Sequence, residues 1–593
     1  MKTPYLERYP DVPITLDEQL ERCGREYGHR TAIVDQSVRL TWQEVLRMVN
    51  VTAADLIDRN VQAGDRVFIA MERRWEIVIA YLAVARVRAI AVPLNFKSTR
   101  AEQEALTAFV KPSALLLHHD IASSISTDAD GAVRLILDDD NVRIRLHHAA
   151  SNAEADRTGT WPSCQPDDLV YLNLTSGSTG QPKAAMATHR ILYGNTAACV
   201  RHFDLSENDV HLPLFAVMSH PHEIFCRALF TGACIALVEN LYPRTIAETI
   251  HHHRVTCIMA VAGVYSLLLP FIASGKYDIS SVRLPESGGM STPPALEAKF
   301  KELCGVPIIP VWGSTETMGI AFSTHLDGSS PSGSVGTLLP GYQARIVDRH
   351  FHSLPSGEIG ELLIRGTGVT SGYWQDSPLT ESAFHNGWYR TGDLFEEDTL
   401  GNFFFRGRMD AMIKAGGFKI YPAEIEAALF THPLIREAVV VPFDDRLRGL
   451  VPMAVLVIEP GESLTESQLR HYLSSRLSRN KIPRIFRFLP DLPRTASGKV
   501  DRKALLSFGS LDHEPSEISL ERRLEAIDLK ILHLLNERMR IEIQLMKVQH
   551  ESAFQPERIQ DTIQRILEFN PGPLHDSIVE QLFRTILSLR NLY

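Results

Sequence analysis

Thr175-Ser-Gly-Ser-Thr-Gly-Gln-Pro-Lys183 interleaves hydroxyl side chains with two glycines and ends on a proline and a lysine. Glycines let backbone N–H groups turn inward, hydroxyls add donors, and Lys183 adds a positive charge. Such a loop suits the phosphates of a nucleotide. The preceding Leu169-Val-Tyr-Leu-Asn-Leu174 is apolar enough for a buried strand. The loop therefore sits at a strand's C-terminal end, where α/β sheets bind ligands. It is not the common nucleoside-triphosphatase loop: Pro182 replaces that pattern's second glycine, and Ala184 stands where its hydroxyl should follow. A plain Ser/Gly-rich surface turn is the bland alternative. Nine residues in this order with a downstream lysine favour the anion cradle.

The rest of the chain sets the bounds. With 593 residues it is too long for one hydrophobic core, and about three or four domains are expected. It is 44% hydrophobic and 22% charged, as globular proteins are. A net charge of -10 over this length argues against nucleic-acid binding. Seven cysteines without a Cys-x-x-Cys pair fit a reducing compartment rather than a disulfide framework or zinc site. The N-terminus has no apolar signal region, and the longest apolar run, Ile77 to Leu94, is broken by Arg86 and Arg88. That run reads as a buried helix leading to a strand, and the expected location is cytoplasmic.

Residues 1–407 alternate short apolar runs with helical stretches, the pattern of a large α/β domain. Residues 408–507 read as a small α+β domain, 508–519 as a polar linker, and 520–593 as all-α. Two further constellations carry chemistry. Trp312-Gly-Ser-Thr-Glu316 ends an apolar run with an aromatic face, hydroxyls and a carboxylate able to hold a hard cation. Tyr389-Arg-Thr-Gly-Asp393 places a carboxylate just past a glycine, ready to accept two ribose hydroxyls. Each alone is an ordinary strand-end turn.

Together with Ser287-Gly-Gly-Met290, Gly360-Glu-Leu-Leu-Ile-Arg-Gly366, Gly407-Arg-Met-Asp410, Lys414-Ala-Gly-Gly417 and Lys499, these motifs recur in a family's order. The chain over roughly 15–505 resembles the adenylate-forming enzymes. These include acyl- and aryl-CoA ligases, aryl-acid adenylating enzymes, peptide-synthetase adenylation domains and luciferases.

The resemblance implies attack of a carboxylate on the α-phosphate of ATP, release of pyrophosphate, and transfer of the acyl group to coenzyme A or a phosphopantetheinyl carrier protein. It implies that Thr175, Ser176, Gly177, Ser178, Thr179, Gly180 and Lys183 hold the β- and γ-phosphates. Ser287, Gly288, Gly289 and Trp312 would frame the adenine, and Thr315 would touch the α-phosphate. Glu316 would bind Mg²⁺, while Asp393 and Arg408 would hold the ribose. Lys499 would bridge carboxylate and α-phosphate in the transition state. Asp410 would be the hinge about which the small domain turns, bringing Ala415-Gly-Gly-Phe-Lys419 to the thiol's path.

The acid is less legible. Leu212-Pro-Leu-Phe-Ala-Val-Met-Ser-His-Pro-His-Glu223 matches the region that shapes the acyl pocket in that family, so Ala216, Ser219, His220 and Gly313 are its expected lining. Ser219 falls where peptide synthetases carry an aspartate, which argues against an α-amino acid. Ala216 departs from the histidine or aromatic of many CoA ligases. His220 and His222 are either pocket groups or satisfied structural histidines. In His251-His-His253, adjacent helical positions splay the rings apart, against a metal site.

From Leu520 the apolar residues follow a four-three alternation, interrupted at Arg538. Further helices are expected to start near Pro556 and Pro573. Ile527-Asp-Leu529, Leu534-Leu535, Arg538, Pro556-Glu-Arg558 and Leu582-Phe583 resemble the all-α chorismate mutases and their relative, isochorismate-pyruvate lyase. Two cationic positions of that family's anion clamp hold Gln549 and Glu521 here, and Ile559 replaces an acidic residue. Lys547 cannot substitute, because nine residues rotate it to the opposite helix face. The expectation is a catalytically inactive domain that dimerises or docks. The fusion suggests a hydroxy- or aminobenzoate as the acid. The alternatives are an active mutase or lyase domain, or a fatty-acid–CoA ligase.

Overall fold

The structure is a computed structural model that describes residues 12–35, 38–96, 98–118, 121, 125, 133–137, 161–176, 182–215, 220–289, 292–409, 411–415, 418–445, 449–459, 461–479, 481–494, 500–507, 538 and 576–588. The chain forms two compact units, Met1–Gly509 and Ser510–Tyr593.

In the first unit, the strands Arg66–Ala70, Ile90–Pro93 and Ala114–His118 pair in parallel, as their near-continuous apolar sequence requires. They belong to a six-stranded sheet that ends with Leu169–Ser176 and Pro182–Thr188. Those last two strands are antiparallel, with Thr175 opposite Lys183 and Ser176 opposite Pro182. The phosphate-type motif thus spans the end of one strand and the start of its antiparallel partner, and residues 177–181 between them lie outside the described residues. Sequence reading placed the loop after a strand but did not identify the returning one.

A nine-stranded sheet carries the other motifs. Cys257–Ala260, Leu284–Ser287 and Ile309–Ser314 run parallel side by side, and Gly319–Ser323 returns antiparallel. The parallel register puts Ser287 opposite Pro310, so Ser287-Gly288 and Val311-Trp312 emerge together at neighbouring strand ends. A five-stranded sheet contributes Trp388–Glu397 and Phe403–Arg408, whose register sets Asp393 opposite Arg408.

The helix Trp75–Arg86 is buried at every position, which fits its apolar run and its low amphipathicity. Its last residue, Arg86, is fully buried; it is neutralised by Asp17 at 2.6 Å and by Glu21, and donates to the Asn50 side-chain carbonyl. Removing both carboxylates would leave an uncompensated buried charge, at about 3–5 kcal/mol. The strand Ile90–Pro93 follows it, as expected for this run.

Beyond Phe403–Arg408, the strands Ile435–Asp445, Gly449–Ile458 and Ile485–Phe488 form a sheet with its own core around Val440, Leu456 and Phe486. The helix Pro422–Phe430 packs there through Ile425 and Leu429. In the second unit, the helix Asp576–Ser588 begins three residues past Pro573, and Arg538 is helical. The expected linker 508–519, the helix near Pro556 and the chorismate mutase-type positions other than Arg538 and Leu582-Phe583 lie outside the described residues. All seven cysteines are free thiols. No helix among the described residues is long and apolar enough to cross a membrane.

Candidate active site

The site is built at the ends of these strands. Ile309–Ser314 leads into a short 3₁₀ turn, Thr315–Thr317, capped by the Ser314 hydroxyl on the Thr317 N–H. Met318 then takes a left-handed conformation (φ 49°) and Gly319 follows at φ 103°. This sharp reversal presents Thr315 and Glu316 beside the strand end. The Tyr373 hydroxyl donates to Glu316 Oε1 at 2.6 Å. Burial, reinforced by the Glu316 carboxylate, pushes both the Tyr373 and Tyr389 phenols above their ordinary range, so they remain donors.

Asp393 is buried, and its Oδ2 accepts from the Trp312 indole N–H at 3.2 Å. Arg408 forms an ion pair with Oδ1 at 2.8 Å. Burial pushes the Asp393 pKa up to about 6, with Arg408 and Trp312 pulling the other way. Trp312 is held edge-on by Phe322 and Phe395, at 5.5 and 5.4 Å between ring centroids. A half-exposed arginine, an aromatic plane and a carboxylate with raised pKa can together accept and orient a polyhydroxylated, flat ligand.

Opposite this group, a Cβ on Gly288 would press on Val311 Cγ2 at 2.9 Å, and Gly289 has φ 78°. Bare backbone therefore lines this edge. The Thr292 hydroxyl donates to Ser287 Oγ at 2.8 Å. Gly313 is exposed at the strand bulge, where a Cβ would strike the Gly319 carbonyl.

Structure thus brings together Ser287, Gly288, Gly289, Trp312, Gly313, Thr315, Glu316, Asp393 and Arg408. Lys183 lies partly buried on the returning hairpin strand. The side chains of Thr175 and Ser176, and Ala216, Ser219, Asp410 and Lys499, lie outside what the structure describes. The flanks of Lys499 are in place: Arg494 and Val500 form an antiparallel bridge, and Arg494 pairs with Glu437 at 2.6 Å.

His220 is partly buried beside His222, with ring centroids 6.1 Å apart. His222 resolves to the structural alternative. It is 2% exposed, its Nδ1 lies 2.6 Å from the Tyr171 hydroxyl, and its Nε2 lies 2.8 Å from the Met318 carbonyl. Within His251-His-His253, His251 Nδ1 accepts from the Asp278 N–H at 3.0 Å. Sequence reasoning missed Tyr373 and Asn195. The Asn195 amide donates to the Ile320 carbonyl and to the Tyr342 hydroxyl, both at 2.9 Å. Only the aromatic in Ser371-Gly-Tyr-Trp374 signalled the first, and nothing local signalled the second.

Residues 20–374 match the model of the AMP-binding enzymes, and 424–499 match that of the AMP-binding enzyme C-terminal domain. The chain belongs to the AMP-binding enzyme family. Residues 520–590 of this AMP-binding enzyme match chorismate mutase type II. The indoleacetate–CoA ligase of Aromatoleum aromaticum is 31% identical, over 82% of this chain and 96% of that protein. The ATP-bound MatB of Rhodopseudomonas palustris is 27% identical, with a TM-score of 0.75 over 83% of this chain and 99% of that one. An anthranilate CoA ligase in complex with anthranoyl-AMP is 26% identical, with a TM-score of 0.76 over 85% and 99%. Relatives of this AMP-binding enzyme are acyl- and aryl-CoA ligases, and its class is that of the AMP-forming acid–thiol ligases.

Proposed function

We propose that this AMP-binding enzyme activates an aryl acid of the hydroxy- or aminobenzoate type and passes the acyl group to the thiol of coenzyme A or of a carrier protein. The observation that carries the nucleotide half is the convergence of Trp312, Asp393 and Arg408 on one side and Glu316 with Tyr373 on the other. Asp393 and Arg408 take the ribose, Trp312 and the Ser287–Gly289 edge take the adenine, and the 175–183 hairpin takes the β- and γ-phosphates. Glu316, an acidic oxygen donor with a fixed orientation, suits Mg²⁺, which when bound neutralises phosphate charge.

The acid's carboxylate oxygen bonds to the α-phosphorus as the bond to pyrophosphate breaks, and Lys499 offsets the charge shared between them. In the second step the thiol gives up its proton to solvent, its sulfur bonds to the acyl carbon, and AMP leaves with the C–O bonding pair. Asp410 is the hinge between the two arrangements, with the small domain at 408–507 as the moving part. The aryl assignment is supported by relatives acting on indoleacetate and anthranilate, and by the chorismate mutase-type region attached to the ligase. That region, at 520–593, serves as an inactive dimerisation or docking module.

Acid-dependent exchange between ATP and labelled pyrophosphate, run across a panel of benzoates and fatty acids, tests this reading. A hydroxy- or aminobenzoate should give the highest kcat/KM. Preference for a fatty acid would refute the aryl assignment, and no exchange with any acid would refute the activation itself.

A further inference from the structure

Three separate stretches of chain supply the candidate site, and one buried imidazole touches two of them. His222 sits in the 3₁₀ turn Pro221–Ile224. Its Nε2 faces the Met318 carbonyl, which can only accept, so Nε2 carries the proton. Its Nδ1 is then a lone pair, and it accepts from the Tyr171 hydroxyl at 2.6 Å. The two rings stack at 5.8 Å and 22°. Tyr171 belongs to the strand Leu169–Ser176 that runs into the phosphate-type motif. Met318 is the left-handed residue that closes the turn carrying Thr315 and Glu316.

The neighbours of His222 extend the connection. The Glu223 carboxylate fills the space a Cβ on Gly319 would need, which keeps that reversal glycine. Arg227 pairs with Glu223 at 3.0 Å and with Glu286, the residue before Ser287, at 2.7 Å. From the opposite side, the Tyr342 hydroxyl donates to the Thr317 carbonyl at 3.0 Å. The turn is therefore gripped through its backbone carbonyls, and the segment Pro221–Arg227 touches the strand Leu169–Ser176 near its start, the strand end at Glu286 and the turn at Met318. Burial holds His222 neutral, with its pKa down to about 3, so one tautomer serves throughout the working pH range.

We propose that His222 is a positioning residue for adenylate formation: through Tyr171 and Met318 it ties the strand Leu169–Ser176 to the Thr315–Glu316 turn. It touches no substrate. The inference rests on the proposed nucleotide role of these two segments. Adenylate formation needs both at once, to hold pyrophosphate and to meet the α-phosphate. Thioester formation starts after pyrophosphate has gone, so it depends less on their spacing.

The test uses the full chain and measures both half-reactions for wild type, His222→Gln, His222→Ala and Tyr171→Phe. Gln keeps a donor for the Met318 carbonyl. Ala removes both contacts, and Phe removes only the hydroxyl. Pyrophosphate exchange should fall roughly 100-fold in His222→Ala and about tenfold in Tyr171→Phe, with the larger part in kcat, because a misplacement of about 1 Å is worth that much. Thioester formation from supplied acyl-adenylate should stay within about threefold, and His222→Gln should recover most of the exchange. If His222→Ala does not fold, Tyr171→Phe decides alone. Equal losses in both half-reactions, or exchange unchanged in folded Tyr171→Phe, would overturn the proposal. Absence of exchange in wild type would instead refute the underlying nucleotide reading.

Discussion

The Tyr373 hydroxyl donates a 2.6 Å hydrogen bond to Glu316 Oε1, joining the Ser371–Trp374 segment to the 3₁₀ turn that follows Ile309–Ser314. A second link runs parallel to it, the Thr370 N–H donating to the Glu316 carbonyl at 2.7 Å. The carboxylate assigned to Mg²⁺ is thus aimed before any ligand arrives. Tyr373→Phe removes one hydrogen bond to a charged group, worth about 1.5–3 kcal/mol. Acid-dependent exchange should fall at least about tenfold at limiting Mg²⁺ and recover partly as Mg²⁺ is raised. A Mg²⁺ titration superimposable on wild type would contradict this assignment.

Asp393 carries the pH prediction for nucleotide binding. Its pKa is pushed up to about 6 by burial, so the carboxylate assigned to the ribose hydroxyls loses its charge as pH falls through that value. The profile of kcat/KM for ATP should decline on the acid side near pH 6. Asp393→Asn should lower kcat/KM roughly 10- to 100-fold and flatten that limb, since the amide does not titrate there. A limb that persists in Asp393→Asn would assign it to another group.

Buried neutral histidines govern acid stability. Burial lowers the pKa of His189 to about 4, against an ordinary 6.5. The folded state then binds fewer protons than the unfolded one. Stability from this group is present above about pH 6.5 and is lost as pH falls toward 4. His189 Nδ1 accepts from the Leu16 N–H at 3.1 Å, and an asparagine keeps an acceptor there without titrating. His189→Asn should therefore lose less melting temperature than wild type between pH 7 and pH 5. An identical drop would exclude His189, leaving His202 and His211, also lowered to about 4, and His222, lowered to about 3, as the carriers.

The helical region predicts a negative result and a positive one. Full-length protein should not convert chorismate, because Gln549 and Glu521 stand where the anion clamp needs cations. Removal of residues 510–593 should lower the sedimenting mass to that of a monomer while leaving kcat for exchange within about twofold, as expected of units that each form their own compact body. Measurable chorismate turnover would contradict the inactive assignment, and an unchanged subunit number would exclude dimerisation and leave docking.

Much of this architecture was legible because local rules agree with the global fold. Apolar runs such as Arg66–Ala70 became parallel strands, and the run at Ile77–Leu94 became a buried helix and a strand despite Arg86. Arg86 was tolerable only because Asp17 and Glu21, 65 or more residues earlier, meet it in space. That pairing has no sequence signal. The motif order identified Trp312, Glu316 and Asp393, but not what orients them. Tyr373, Asn195 and Tyr171 act across 57, 122 and 51 residues of chain, where neither periodicity nor spacing carries information. His222 read ambiguously, since only its two buried partners decide between ligand and strut.

Lys499→Ala tests the two-step account most directly. Both half-reactions are measured on the same preparation: acid-dependent pyrophosphate exchange, and thioester formation from supplied aryl-adenylate with coenzyme A or a carrier protein. The account predicts that exchange falls at least about 100-fold, since a charge-assisted contact made in the transition state is lost. Thioester formation should remain within a few-fold of wild type. Equal loss of both reactions, or undiminished exchange, would contradict it.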